Sequence, residues 1–130
     1  MDKVVHFEIP ADDMVRAEKF YADAFGWKTQ KFPMPAGEYL MATTVPVDEK
    51  TRMPVAPGAI NGGITKRDAT TPAPIIVMDV AAVEEALKKI QAAGGTVIMS
   101  AQNIGCMGLY AKVKDTEGNV IGMWQNLPKQ

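Results

Sequence analysis

One order of elements (strand, helix, then three strands) can be read twice along this chain, and that repetition constrains the fold more than any single motif. The first pass opens at Val4 to Ile9, where Val5, Phe7 and Ile9 alternate with Val4, His6 and Glu8. Pro10 is expected to end that strand, because proline has no N–H for a ladder. Asp12 or Asp13 then caps a helix with Arg16, Ala17, Phe20, Tyr21 and Ala24 along its apolar side, and Gly26 closes it. Trp27 to Phe32, Glu38 to Val47 and Ala59 to Thr65 read as strands. A turn at Pro33 to Gly37 and a polar loop at Asp48 to Pro57 separate them.

Lys66 to Pro72 is polar and reads as a linker, after which the order starts again. Ile75 to Val80 is a strand. Val83 to Ala93 is a helix, with Val83, Leu87 and Ile90 as its stripe and Gly94-Gly95 ending it. Thr96 to Ser100, Leu109 to Lys114 and Val120 to Gln125 are three more strands, the last two joined by an Asp115 to Asn119 turn. Shifting the chain on itself by about 69 residues lays Ala17 on Ala86, Lys19 on Lys88, Gly26 on Gly95 and His6 on Ile75. A shift of about 60 lays Gly58 to Gly62 on Gly118 to Gly122. The expected fold class is therefore α+β, built from two βαβββ modules at about 3–66 and about 72–126, within a single domain covering 1–130.

Composition narrows the function. A 130-residue chain with 14 Lys plus Arg and 15 Asp plus Glu has a net charge of −1, which offers no basic surface for nucleic acid. No apolar run approaches the roughly 20 residues that cross a bilayer, so no membrane partner is expected. The N-terminus lacks a long apolar segment and reads as mature protein. The single cysteine, Cys106, cannot form an internal disulfide, and a reducing cytoplasm is the expected home. No phosphate loop, dinucleotide fingerprint or nucleophile elbow is present.

His6-Phe7-Glu8-Ile9-Pro10-Ala11-Asp12-Asp13, Ala17-Glu18-Lys19-Phe20-Tyr21, Phe25-Gly26-Trp27 and Asp115-Thr116-Glu117-Gly118-Asn119-Val120-Ile121-Gly122 carry a resemblance. In order and spacing the chain resembles the vicinal oxygen chelate superfamily, which includes glyoxalase I, bleomycin-resistance proteins and extradiol dioxygenases. The resemblance implies paired βαβββ modules whose mixed sheets curl around a shared cavity, and it implies a homodimer. It also implies a metal centre with ligands on the first and last strands of each module, where the metal chelates two neighbouring substrate oxygens. Laid on this chain, those positions are His6, Gly62, Ile75 and Gly122. Only His6 carries a donor, and a Zn, Ni or Fe site needs three or four. Moving the register by one residue brings in Asn61 or Ile121 and completes nothing. Glu8 shares a face with His6, and two neighbouring donors still make an incomplete site.

No metal or other cofactor is therefore expected, with His6 the surviving metal candidate. The expected function is binding of a mostly apolar small molecule in a cavity that includes His6, Glu8, Gly62, Ile75, Gly122 and Trp124. Glu8 reads as a general base in an apolar cavity or as a solvated rim residue. Gly62, Gly63 and Gly122 read either as structural or as positions that enlarge the cavity. Trp124 shares the parity of Gly122 and is placed to stack on a planar ligand. Nine methionines, among them Met34, Met41 and Met123, suit core filling or a flexible apolar pocket. Lys112 shares a strand face with Tyr110, either toward an anionic ligand or in solvent. Two alternatives stand beside this reading. One is a metal-dependent lyase, isomerase or dioxygenase with an atypical ligand set using His6 and Glu8. The other is an interaction module without a ligand.

Overall fold

The computed structural model describes residues 1–34 and 37–128. Pro35 and Ala36, inside the turn expected at Pro33 to Gly37, lie outside the described residues. The fold is α+β, with strands and helices in the order β, α, β, β, β, β, α, β, β, β. The chain divides into two compact units, an N-terminal one of His6–Pro74 and a C-terminal one of Met1–Val5 with Ile75–Gln130.

The N-terminal unit contains β1 (Val4–Ala11) from His6 onward, α1 (Met14–Phe25), β2 (Lys28–Met34), β3 (Gly37–Thr43) and β4 (Asn61–Lys66). Its strands lie in the order β2-β3-β4-β1. β2, β3 and β4 are antiparallel neighbours, and β1 runs parallel to β4. Asp13 starts α1 by accepting a hydrogen bond from the Arg16 amide at 3.0 Å. Gly26 stops it in the left-handed conformation at φ 72°, where glycine has no Cβ to clash. The apolar side of α1 packs Met14, Ala17 and Tyr21 on Ala11, Leu40, Ala42 and Ile64, with Phe7 and Trp27 alongside. Each strand of this unit differs from expectation at one end or both, and two of these differences have a local cause. Pro10 does not end β1, which runs on to Ala11, since a proline near a strand end need remove no ladder bond. β3 ends at Thr43 rather than Val47, because the Asn61 side chain takes the Thr44 and Val45 amides at 2.7 and 3.0 Å.

The C-terminal unit contains β5 (Ile75–Asp79), α2 (Val83–Ala92), β6 (Thr96–Ile104), β7 (Gly108–Lys114) and β8 (Val120–Asn126). Here the order is β5-β8-β7-β6, with β5 parallel to β8 and the other pairs antiparallel. α2 buries Val83 and Leu87 against Val80, Ala111, Val113 and Met123. Each such side chain contributes about 1.5–3 kcal/mol when fully buried. Ala82, at the helix start, has no capping side chain; Gln125 of β8 instead accepts from the Val83 amide at 2.9 Å. In the β7–β8 hairpin, Asp115 accepts from the Glu117 and Asn119 amides at 2.8 and 2.9 Å. These bonds hold its carboxyl below the usual range, the Asn119 side chain contributing most. β6 runs past Ser100 to Ile104, through register irregularities between Val97 and Met99 and between Met99 and Gln102. Such bulges break the two-residue alternation by which a strand is read from sequence.

Candidate functional site

Residues paired across a ladder face the same side of a sheet, so the register assigns each candidate to a face. In the N-terminal unit, His6 pairs with Asn61, Glu8 with Gly63, and Gly63 in turn with Met41. His6, Glu8, Tyr39, Met41, Asn61 and Gly63 therefore share the face turned away from α1. Gly62 does not. It pairs with Phe7 and Ala42 on the helix side, and a Cβ there would lie 2.5 Å from the Phe7 ring. The expectation that Gly62 lines the site with His6 is corrected: Gly63 holds that position. A slip of one residue moves a side chain to the opposite face, and Gly62-Gly63 offers no side-chain contrast to fix the phase.

The space over Gly63 is filled. A Cβ at Gly63 would meet the Tyr39 hydroxyl at 1.9 Å and its ring carbon Cζ at 2.1 Å. That hydroxyl lies 3.0 Å from Nε2 of His6. Burial lowers the His6 pKa from 6.5 to about 4, so the imidazole is neutral at pH 7. Burial first and the Glu8 charge second push the Tyr39 phenol above its usual range, so it keeps its proton. Glu8 is only 4% exposed, which answers one question left open by the sequence: it is a buried group and not a solvated rim residue. Asn61, on the same face, spends its side chain on Thr44 and Val45, with its amide donating to the Val45 carbonyl at 3.0 Å.

The C-terminal unit has the same construction with different chemistry. Val77 is the parallel partner of Gly122, as Glu8 is of Gly63. Ile75 lies two residues before Val77, as His6 does before Glu8, and both apolar residues are buried. A Cβ at Gly122 would meet the Tyr110 hydroxyl at 2.7 Å and its ring at 2.9 Å. Tyr110 is the antiparallel partner of Trp124, and their rings meet edge-on with centroids 6.5 Å apart. The Trp124 ring covers Gly108, and its indole N–H donates to Asn126 at 2.8 Å. Ile75, Gly122 and Trp124 thus share one face of this unit. The Lys112 ammonium, also buried there, stands 5.8 Å from the centre of the Tyr110 ring. A separate depression of about 390 Å³, lined by residues such as Met1, Lys3, Asp79 and Asn126, includes none of the candidates.

Tyr39 was not singled out from the sequence. The signal was present: Tyr39 and Tyr110 each sit two residues before the partner of a strand glycine, Met41 for Gly63 and Lys112 for Gly122. Reading it required the correct phase at Gly62-Gly63.

A metal centre at these positions is not supported by the residues. Of the positions the resemblance implies, His6 alone carries a donor, and a Cβ at Gly63 or at Gly122 would run into a tyrosine. Among the described residues, no group of three or more His, Cys, Asp or Glu is arranged to hold an ion.

The chain is 33% identical over 120 residues to the protein named "Putative glyoxylase CFP32" of Mycobacterium bovis and to its namesake in Mycobacterium tuberculosis. The match covers 91% of this chain and 43% of each relative, so the chain spans less than half their length. Among solved structures, a methylmalonyl-CoA epimerase from Mycobacterium tuberculosis aligns with TM-score 0.66 and 12% identity, over 96% of this chain and 88% of that one. A Streptomyces coelicolor methylmalonyl-CoA epimerase variant in complex with 2-nitronate-propionyl-CoA aligns with TM-score 0.68 and 14% identity, over 97% and 98%. These structures share the fold. Residues 3–123 match the family model described as Glyoxalase/Bleomycin resistance protein/Dioxygenase superfamily, and the chain belongs to that superfamily.

Proposed function

We propose that this protein is a metal-free small-molecule-binding member of the superfamily, working as one domain of two βαβββ modules. Its ligand recognition rests on the face of the N-terminal unit that carries His6, Glu8 and Tyr39. Ile75, Gly122 and Trp124 form an apolar surface within the C-terminal unit that suits a ring or alkyl group. The observation that carries this reading is the seating of a tyrosine on a glycine at the last-strand position of each unit. A side chain able to hold a metal there would have to displace an aromatic ring first. The relatives' names, a glyoxylase and methylmalonyl-CoA epimerases, belong to a superfamily in which one scaffold serves binding and several reactions. We further infer a homodimer, because β2 and β6 end their strand orders with edges that a second copy can cover, and a cytoplasmic home, because a chain with one cysteine makes no internal disulfide.

The test is a ligand-detected NMR screen of the protein, run with and without EDTA. The reading expects hits that persist in chelator. Hits that all vanish with EDTA and return with added Zn²⁺, Ni²⁺ or Fe²⁺ would establish the metal-dependent alternative through His6 and Glu8. Light scattering at tens of micromolar, where specific dimers usually persist, checks the dimer, and a monomer there removes it.

A further inference from the structure

We propose that Tyr39, seated on Gly63 and held by His6, is the specificity-determining residue of this protein, and that it selects a neutral ligand bearing a hydroxyl group. This rests on the small-molecule reading above and adds the ligand's chemical class.

Two independent constraints fix the hydroxyl. The ring lies where a side chain at residue 63 would begin, so only glycine admits it. Its oxygen is bonded to Nε2 of His6 at 3.0 Å, which pins the phenol on one side. A neutral imidazole has one donor and one acceptor nitrogen, and a phenol has one donor and two lone pairs. If Tyr39 donates to His6, its oxygen still accepts. If His6 donates to Tyr39, the phenol O–H is left to donate. A ligand hydroxyl, which both donates and accepts, satisfies either arrangement. A carboxylate only accepts.

Charge selects in the same direction. On the face of the N-terminal unit, Glu8 is the buried acid and His6 is neutral. Lys28, which shares that face by strand parity, is exposed at the far end of β2. Among the described residues, the face that carries Tyr39 has no buried positive charge to hold an anion, and burying an unpaired anion is costly. A metal cation would attract anionic oxygens; this constellation favours neutral ones.

The experiment compares two probes of the same ring system, 2-naphthol and naphthalene-2-carboxylate, by calorimetry or Trp fluorescence. Wild-type protein is expected to bind 2-naphthol at least about tenfold more tightly, the scale of one well-placed hydrogen bond. Tyr39→Phe keeps the ring on Gly63 and removes the hydroxyl. It should weaken 2-naphthol, leave the carboxylate unchanged and bring the ratio close to that of the plain hydrophobic difference. An unchanged ratio in Tyr39→Phe, or equal or tighter binding of the carboxylate by the wild type, overturns the selection while the small-molecule reading stands. Binding of neither probe at about 1 mM, the weak end of specific recognition, overturns both. Should Tyr39→Phe fail to fold, His6→Gln must lower the ratio, and an unchanged ratio there overturns the proposal equally.

Discussion

At matched positions the two units carry opposite chemistry. In the N-terminal unit the partner of the strand glycine is Glu8, with His6 two residues before it. In the C-terminal unit the corresponding residues are Val77 and Ile75, each 1% exposed. Both units place a tyrosine over the glycine. The apolar pair gains stability from burial, whereas buried polar groups hold even only when their hydrogen bonds are made. Since Ile and Val satisfy the same scaffold, stability does not require His6 and Glu8 in the other unit. Their presence there supports the proposal that ligand recognition uses the N-terminal face.

The comparison can be strained first at its apolar end. Ile75→Ala should cost about 3 kcal/mol in a urea unfolding series, the usual loss for a buried branched side chain plus its cavity. His6→Ala should cost less, about 1–2 kcal/mol, mostly for the stranded Tyr39 hydroxyl. Equal costs would mean that His6 is a packing residue and that the contrast between the units is empty.

Acid separates the units next. The folded pKa of His6 is about 4 against 6.5 in the unfolded chain. Between these values the unfolded state binds the additional proton. The His6 contribution is therefore fully present above pH 6.5 and is lost as the pH falls toward 4, by on the order of 2–3 kcal/mol. Urea midpoints measured across that window should flatten in His6→Gln, and a slope unchanged in the variant would contradict the burial of a neutral imidazole.

The glycines grade the same contrast more finely. Gly63→Ala drives a methyl into the Tyr39 hydroxyl at 1.9 Å and should cost about 2 kcal/mol. Gly122→Ala approaches Tyr110 at 2.7 Å and should cost less. In a Tyr39→Ala background the Gly63→Ala penalty should largely disappear. A double-mutant cycle that finds the two changes additive would show that the ring does not need the glycine.

The smallest effect concerns the helix starts. Asp13→Ala removes a local cap and should cost about 1 kcal/mol. Gln125→Leu should cost a similar amount, although Gln125 lies 42 residues away in sequence from the amide it serves. Thermal unfolding of both variants checks this, and a silent Gln125→Leu would remove the cross-element cap.

What the sequence made legible follows the same physics. Strict alternation showed β1, a 3.6-residue stripe showed α2, and Asp12 or Asp13 with Gly26 bounded α1. Those signals are local. The phase at Gly62-Gly63 was not legible, because two glycines carry no alternation, and with it went Tyr39, whose role depends on which glycine faces it. The far end of β6 was hidden by its bulges, and the Gln125 cap by its distance along the chain from α2. His6, Glu8, Ile75, Gly122 and Trp124 are candidates by parity or family position, since each lies on a strand whose phase its neighbours fix.

Tyrosines seated on Gly63 and Gly122 stand where the proposed metal-free reading requires no ligand side chain. Elemental analysis of the protein after incubation with Zn²⁺, Ni²⁺, Fe²⁺ or Mn²⁺ and gel filtration tests it most directly. Well under one equivalent of any of them per chain is expected, with no change in His6→Ala. One equivalent of a single metal, retained through gel filtration and lost in His6→Ala, would contradict it.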